Sequence, residues 1–372
     1  MKWTYKSNNK YFTNKFSVID EFESTKKGLE LVTPEEYNNF DFSNEPAQNM
    51  PSLLKSEAVK LREENNYLRL FYSGGADSQV VLDAFINNDV LLDEIVCFKS
   101  GFTEADFEID NFALPYLNRN KDKLSQTKIK ILIPTMEDYH KWYHDDWTSK
   151  YFLHQFTSTV AFFRLMDQPY DFNDGAVNIK GKDKPKIVRH KGKLYTYISD
   201  SNSEIEHNIY HFMLENPAIL SKQCHLLLKG LSNDAIKLQK IYESNSLNDE
   251  SNKIIHSQIE TPVPPKQKIW SYAKMENTDR EMYYMNEKER LALLEASKMC
   301  PESLDRWIAG INKIRSSRFK DWFNNGRPEF GTTGIQSKFF CLTENNVATI
   351  DELYPNGFTK ENIIAMAKMS AK

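Results

Sequence analysis

Cysteine is scarce in this chain. Its four cysteines, Cys97, Cys224, Cys300 and Cys341, stand far apart in 372 residues and form no Cys-x-x-Cys pair, which argues against both a disulfide framework and a structural zinc site. No stretch approaches the roughly 20 apolar residues that cross a bilayer, and the opening MKWTYKSNNKYF carries no secretory pattern. The expectation is a soluble, cytoplasmic protein without a membrane partner. Nor does one sign of charge dominate, since 48 Lys and Arg against 52 Asp and Glu leave a net charge of −4. Any polyanion site must therefore be a local patch, not a property of the whole surface. His140 and His144 are four apart but lack a Glu-x-x-His pattern, so they and His154 read as surface or packing residues rather than metal ligands.

What is present is enough apolar residue, 40% of the chain, for one large core or two smaller ones; domains of about 100–200 residues would make two to three units. Residues 1–66 read as an N-terminal arm and a lead-in helix: residues 1 to about 56 mix aromatic runs with polar turns, as an irregular arm or small hairpin does, and Pro51 opens the helix with Leu53, Leu54, Val59 and Leu61 on its apolar stripe. From Tyr67 short apolar runs (LRLFYS, EIVCFKS, KIKILIP) alternate with helical segments (VVLDAFINN, ADFEIDNFALPYLNR, about 142–166). A fourth strand is expected near Val177–Lys180, then a hairpin around His190-Lys191-Gly192-Lys193 and a strand LYTYIS, with 205–242 helical. Strand alternating with helix implies an α/β fold with a doubly wound parallel sheet, whose ligands lie at the carboxyl ends of the strands. The expected boundaries are 67–243 for this unit, 244–268 for a linker or mobile loop ending in three prolines, and 269–372 for a mostly helical C-terminal part.

Between the first run and its helix stands Ser73-Gly74-Gly75-Ala76-Asp77-Ser78. Adjacent glycines allow positive φ and close approach of a ligand to the main chain, and successive amides at a helix N-terminus form an anion nest to which Ser73 and Ser78 add hydroxyls. Two familiar phosphate loops are excluded. The lysine of a Walker loop is missing, and so is the third glycine of a dinucleotide fingerprint.

The six residues resemble the Ser-Gly-Gly-x-Asp-Ser loop of the PP-loop ATP pyrophosphatases, a superfamily that includes the synthetase domain of asparagine synthetase, PAPS reductases and tRNA thiolation enzymes. The likeness covers roughly Tyr67 to Asp200 and is nearest to stand-alone, often phage-encoded members that pair this loop with a later Gly-x-Asp-Lys-Pro. It implies a Rossmann-like, adenine nucleotide alpha hydrolase-like fold that uses ATP and Mg²⁺ and cleaves ATP to AMP and pyrophosphate. By resemblance the loop from Ser73 to Ser78, Ala76 included, holds the β and γ phosphates, Asp77 helps to hold Mg²⁺, and the backbone of Phe98 lies beside adenine.

A second candidate is Gly181-Lys182-Asp183-Lys184-Pro185, after the fourth strand. Lys180, Lys182, Lys184, Lys186, Arg189, Lys191 and Lys193 put seven cations in fourteen residues beside Asp183 alone. Such a field neutralises charge on departing pyrophosphate, with Lys182 and Lys184 in the leading role, while Asp183 shares the metal. The basic run from Lys313 to Lys320 reads better as a solvated helix face than as an acceptor site. The activity implied is adenylation of a carbonyl or carboxylate substrate for attack by an amine, with ATP and an unidentified acceptor as partners. Alternatives are sulfur transfer or PAPS-reductase-like chemistry, nucleic-acid modification with nucleic acid as acceptor, and a non-catalytic nucleotide-binding module. The chain lacks the N-terminal glutaminase cysteine and the Ser-Gly-Asp-Gly-x-Asp-Glu run of asparagine synthetases, and nothing like Glu-Cys-Gly-x-His surrounds Cys341.

Overall fold

The computed structural model describes residues 3–25, 27–99, 101, 106, 108–135, 137–138, 175–181, 186–190, 193–200, 209–232 and 335–353. In chain order the elements are β1 (Thr4–Ser7), β2 (Lys10–Phe12), α1 (Lys15–Thr25), β3 (Leu29–Val32), α2 (Glu35–Asn38), α3 (Met50–Glu64), β4 (Leu68–Phe71), α4 (Ala76–Ile86) and β5 (Glu94–Phe98). A π-helical turn (Ile109–Ala113) then runs into α5 (Leu114–Arg119), followed by β6 (Lys128–Leu132), β7 (Val177–Lys180), β8 (Lys186–His190), β9 (Lys193–Tyr197) and β10 (Ser199–Asp200). The last described elements are β11 (Ile209–His211), α6 (Pro217–Ser232), β12 (Ile335–Gln336), β13 (Phe339–Cys341), β14 (Val347–Ala348) and α7 (Ile350–Leu353).

The centre is a five-stranded, all-parallel sheet in the order β11-β7-β4-β5-β6. It is an α/β arrangement. The chain moves outward from β4 through β5 to β6, then returns to the other side of β4 for β7 and β11. That reversal puts the topological switch point, where open α/β sheets bind their ligands, between the carboxyl ends of β4 and β7, where Phe71 stands level with Lys180.

Period-two alternation decides what each face of the sheet holds. Leu68, Leu70, Ile95, Cys97 and Ile179 belong to one buried core with Leu53, Leu54, Ala58 and Leu61 of α3 and with Val80, Val81, Phe85 and Ile86 of α4. The lead-in helix forms as the sequence implies: Asn49 caps α3 by accepting from Ser52 N at 2.9 Å, and Pro51 sits in the first turn, where its missing N–H costs nothing. On the alternate positions Arg69 stands level with Glu94 and Asn178. The Arg69 Nε donates to Glu94 Oε2 at 2.5 Å, its Nη1 to Asn178 Oδ1 at 3.0 Å, and Lys130 Nζ lies 2.5 Å from Glu94 Oε1. Four strands, β4, β5, β6 and β7, are thus tied by one charged network centred on the buried Arg69 and Glu94.

Residues 205–242, expected to be helical, divide otherwise. Residues Ile209–His211 form an edge strand parallel to β7, and the helix begins only at Pro217. The run Ile209-Tyr210-His211 is too short to show a period, and the proline suits a first turn better than a helix interior. The 16-residue α6 then carries two stripes. Its Ile219 and Leu226 face the sheet core, while Leu220, Cys224 and Leu228 face a second core.

That second core joins the N-terminal residues to residues 335–347. The N-terminal residues form a sheet, β2-β1-β3, with α1 packed on it, a larger unit than an arm or hairpin. Tyr5, Val18, Ile19, Leu31 and Tyr37 meet Ile335, Phe340 and Leu342 there, with Phe42 stacked on Phe340 at 4.7 Å between ring centroids. Trp3 Nε1 donates to Glu215 Oε1 at 2.8 Å. Burial raises the Glu215 carboxyl to about 7, so it is close to half-protonated near neutrality. The expected hairpin exists as β8 and β9, and β9 pairs on its other side with β13. The described residues of the C-terminal part are therefore short strands and one turn of helix, joined to the segment that follows β7. The segments 142–166, 244–268 and Lys313 to Lys320, with His140, His144 and His154, lie outside the described residues.

Candidate functional site

The loop after β4 is shaped by one glycine and two serines. Gly74 adopts φ +75°, left-handed backbone that favours glycine, and Gly75 is the N-cap of the 11-residue α4 without any side-chain cap. The first amides of that helix thus have no capping side chain and form the electropositive end on which an anion nest rests.

Hydroxyl bookkeeping fixes the direction of the serine bonds, because each hydroxyl has one hydrogen to give. Ser78 Oγ donates to Gly75 O at 3.0 Å, so it accepts from Ser73 N at 3.2 Å and from Ser73 Oγ at 3.1 Å. Ser73 Oγ in turn accepts from Gly75 N at 3.2 Å. Ser73 and Ser78 hold the loop closed on itself, with Ser73 exposed and Ser78 buried. Asp77 occupies the first turn of α4, half-buried, with its Oδ1 out of reach of solvent.

Two close approaches define the walls. A Cβ on Gly181 would stand 2.5 Å from both the carbonyl carbon and the oxygen of Asp77 and 2.6 Å from Ser78 Cα, so the end of β7 abuts the main chain of the first turn of α4. On the other side, a Cβ on Gly74 would stand 2.8 Å from Glu108 O and 2.9 Å from Ala113 N and Cβ. The π-helical turn is packed directly on the loop. Such turns insert one residue into a helix and re-aim its neighbours; here Glu108, just before the turn, points both carboxylate oxygens at Gly75, 3.8 and 3.9 Å from the position of a Cβ there.

The segment leading to that turn is tied to the end of β5. Lys99 Nζ pairs with Asp110 at 2.8 and 2.9 Å, Lys99 N donates to Leu132 O at 2.8 Å, and Gly101 N donates to Asp106 Oδ2 at 3.0 Å. Phe98 is the last, half-buried residue of β5, in the same row of strand ends. Beneath the loop runs a buried polar chain: Tyr72 OH donates to Gln79 Oε1 at 2.5 Å, Gln79 Nε2 donates to Asp83 Oδ1 at 2.9 Å, and Tyr116 OH donates to the same oxygen. It ties the residue before Ser73 to α4 and α5.

The structure thus brings Ser73, Gly74, Gly75, Ala76, Asp77, Ser78 and Gly181 together at the carboxyl ends of β4 and β7. Lys182, Asp183 and Lys184 lie outside the described residues. Sequence reasoning missed Glu108 and the Tyr72–Gln79–Asp83–Tyr116 chain, since neither belongs to a motif; the small Ala113 opposite Gly74 is the one faint signal. Among the described residues no group of three or more His, Cys, Asp or Glu is arranged to hold a metal. A cleft of about 200 Å³, lined by Lys6, Asn8, Lys27 and Lys338 among others, lies between the N-terminal sheet and the 336–349 segment and includes no residue of the loop after β4.

Cys97 is fully buried, and burial alone pushes its thiol up to about 12. A thiol so placed is almost wholly protonated at pH 8 and unreactive. Native protein treated with iodoacetamide at pH 8 is expected to leave Cys97 and Cys224, raised likewise to about 12 by burial, unmodified in a peptide map. Rapid labelling of Cys97 would restore it as a sulfur carrier.

No family model, curated protein or solved structure matches the chain. Among the described residues no helix is long and apolar enough to cross a membrane.

Proposed function

We propose that the chain is an ATP pyrophosphatase of the PP-loop type, with a Rossmann-like, doubly wound, adenine nucleotide alpha hydrolase-like core, which adenylates a carbonyl or carboxylate substrate for attack by an amine. The observation that carries this reading is the meeting of the Gly74 loop with Gly181 at the crevice where the strand order reverses. Ligands of open α/β sheets bind at such a switch point, outside the carboxyl ends of the strands.

In this reading the amides of Gly75, Ala76 and Asp77 and the hydroxyls of Ser73 and Ser78 receive the β and γ phosphates. The serine bonds that close the loop are exchanged for bonds to phosphate oxygen. The fit to Mg²⁺ rests on donor chemistry: Asp77 in the first turn and Glu108 over Gly75 are hard oxygen donors, and Mg²⁺ is held by one or two carboxylates with phosphates and water completing its shell. Bound there, it would neutralise phosphate charge as pyrophosphate departs.

The substrate oxygen attacks the α-phosphorus, the bond to the bridging oxygen breaks and pyrophosphate leaves; the amine then attacks the acyl carbon and expels AMP. The chain contributes positioning and charge neutralisation. Lys182 and Lys184 follow Gly181 in sequence and are assigned the cationic role, with Asp183 a further oxygen donor to the metal. Phe98 is assigned to the base by its place at the end of β5.

Incubation with α- and γ-labelled ATP and Mg²⁺, alone and with metabolite or nucleic-acid pools, tests the reading. AMP with pyrophosphate is expected. ADP with phosphate, or no turnover with any pool, overturns it.

A further inference from the structure

We propose that the cleft between the N-terminal sheet and the 336–349 segment binds a small phosphate-bearing anion, held by Lys6, Lys27 and Lys338. This site is separate from the loop after β4 and does not depend on the nucleotide reading.

The three lysines reach the cleft from three segments: Lys6 from β1, Lys27 from the connection between α1 and β3, and Lys338 from the connection between β12 and β13. Hydrogen bonds fix the main chain of the last two. Ser7 Oγ and Asn8 N both donate to Lys27 O, at 2.9 and 3.1 Å, and tie it to the turn between β1 and β2. On the other wall Ser337 N donates to Ile198 O at 2.8 Å, while Ser337 Oγ accepts from Ile198 N at 2.9 Å and donates to Lys338 O at 2.7 Å.

The ammonium groups are less committed than the backbones that carry them. Among the described residues none of the three forms an ion pair: Lys6 Nζ lies over the Tyr11 ring at 5.7 Å, and Lys338 Nζ donates to the neutral Asn38 Oδ1 at 3.2 Å. Nearby acids do not cancel them. Glu30, level with Lys6 in the register of β1 with β3, is the single carboxylate among the described lining residues. Glu21 is paired with Lys10, and Glu352, within the field of Lys338, accepts from Thr349 N at 2.7 Å.

The lining thus sets three cations against one anion, and cations gathered in this way repel one another until an anion sits between them. Lysine ammonium groups are compact point charges suited to phosphate oxygen. Thr349 Oγ1 accepts from Glu352 N at 3.2 Å, which leaves its own hydrogen for a ligand oxygen. At about 200 Å³ the cleft is somewhat larger than an engineered cavity of about 150 Å³ that admits benzene and smaller than the roughly 300 Å³ at which pockets for drug-sized ligands begin. Its size suits inorganic phosphate or a short phosphate monoester better than a nucleotide.

Inorganic phosphate and glycerol 3-phosphate are titrated calorimetrically, at constant ionic strength so that general screening does not change, into the wild type, Lys6→Met, Lys27→Met and Lys338→Met. Lys10→Met is the control, because Lys10 belongs to the same sheet but pairs with Glu21. Each cleft variant is expected to lose about tenfold in affinity, the worth of one charge-assisted hydrogen bond, while Lys10→Met binds as the wild type does. The tighter of the two ligands tells whether the free ion or an ester is the better occupant. Thermal melts of the same proteins, without and with phosphate, separate binding from folding. Without phosphate the cleft variants should melt at or above the wild-type temperature, since each removes a repelling cation, and with phosphate they should lose most of the rise in Tm that the wild type shows. Phosphate held by the loop after β4 would be indifferent to the three lysines, so wild-type affinity in all three variants overturns the inference and leaves the nucleotide reading standing. It is equally overturned by cleft variants that melt well below the wild type without phosphate, by an equal loss of affinity in Lys10→Met, or by a wild type that binds neither ligand in the millimolar range.

Discussion

Gly181→Ala is expected to cost about 3 kcal/mol of stability or more, at the upper end of overpacking substitutions, and to reduce ATP affinity or turnover by about a hundredfold, the scale of a 1 Å misplacement. The added methyl would stand 2.5 Å from the Asp77 carbonyl carbon and oxygen and 2.6 Å from Ser78 Cα, whereas carbon atoms pack at about 3.5–4.0 Å. All three atoms are backbone, so no side chain can swing aside. The end of β7 and the first turn of α4 must separate by about 1 Å, and the amides that line the loop move with the helix. Gly175→Ala is the matched control. Gly175 has φ +85° but nothing within 4 Å of its added methyl, so that variant carries only left-handed backbone strain of about 1–2 kcal/mol and keeps its nucleotide affinity. Denaturant melts and ATP titrations of the two variants separate the cases; wild-type affinity in Gly181→Ala would remove the crevice from the proposed site.

The same contact shows why only part of the site was legible in the sequence. Gly74 and Gly75 announce themselves because two glycines between a strand and a helix have a local conformational cause, and the serines and Asp77 fall at fixed offsets from them. Gly181 was legible as the glycine that opens the Gly-Lys-Asp-Lys-Pro run after the fourth strand, but not for the contact it makes. Its reason for being glycine is a neighbour about one hundred residues earlier in the chain, and no local pattern encodes such a contact. Glu108 was invisible for a stronger reason: its direction depends on a π-helical turn, and one inserted residue leaves no periodic mark in a short segment.

At the level of the fold, strands β4 and β5 were readable because strands buried on both faces write short apolar runs, and the edge strand β6 was readable from the isoleucines that alternate with its lysines, although Ile129 and Ile131 are exposed. The edge strand β11 has three residues and wrote none. The N-terminal sheet escaped for a related reason. Its core is completed by Ile335, Phe340 and Leu342, roughly three hundred residues away, so its apolar positions look unpartnered when read locally. Charged residues at 69 and 94 inside otherwise apolar runs were a visible irregularity whose meaning appears only in the register: Arg69, Glu94 and Asn178 stand side by side across three strands.

That network carries the second large effect. Glu94→Ala is expected to destabilise the protein by about 3–5 kcal/mol at pH 7, as when one partner of a buried ion pair is removed. Arg69 is 2% exposed and would remain charged after losing its carboxylate partner, keeping its bond to the Asn178 amide oxygen, while Lys130, less deeply buried, can turn to solvent. Converting Arg69 and Glu94 together to Met should recover most of the loss, because no charge is then stranded. The pH dependence follows from the carboxyl's shift. Burial raises its pKa, but the hydrogen bonds and charges of Lys130 and Arg69 outweigh burial and hold it below the ordinary 4.5. A carboxyl lowered on folding stabilises fully above its unfolded value and loses that contribution as pH falls through the folded one. The cost of Glu94→Ala should therefore be complete at pH 7 and smaller at pH 3, measured by urea denaturation of the wild type and the variant at each pH. An equal cost at both, or a cost below about 1 kcal/mol at pH 7, would show that the network is not the charged tie between strands described here. Its position gives the result a functional edge: Arg69 and Asn178 fix the register of β4 against β7, and a slip of one residue between them would carry Gly181 away from Asp77 and open the crevice.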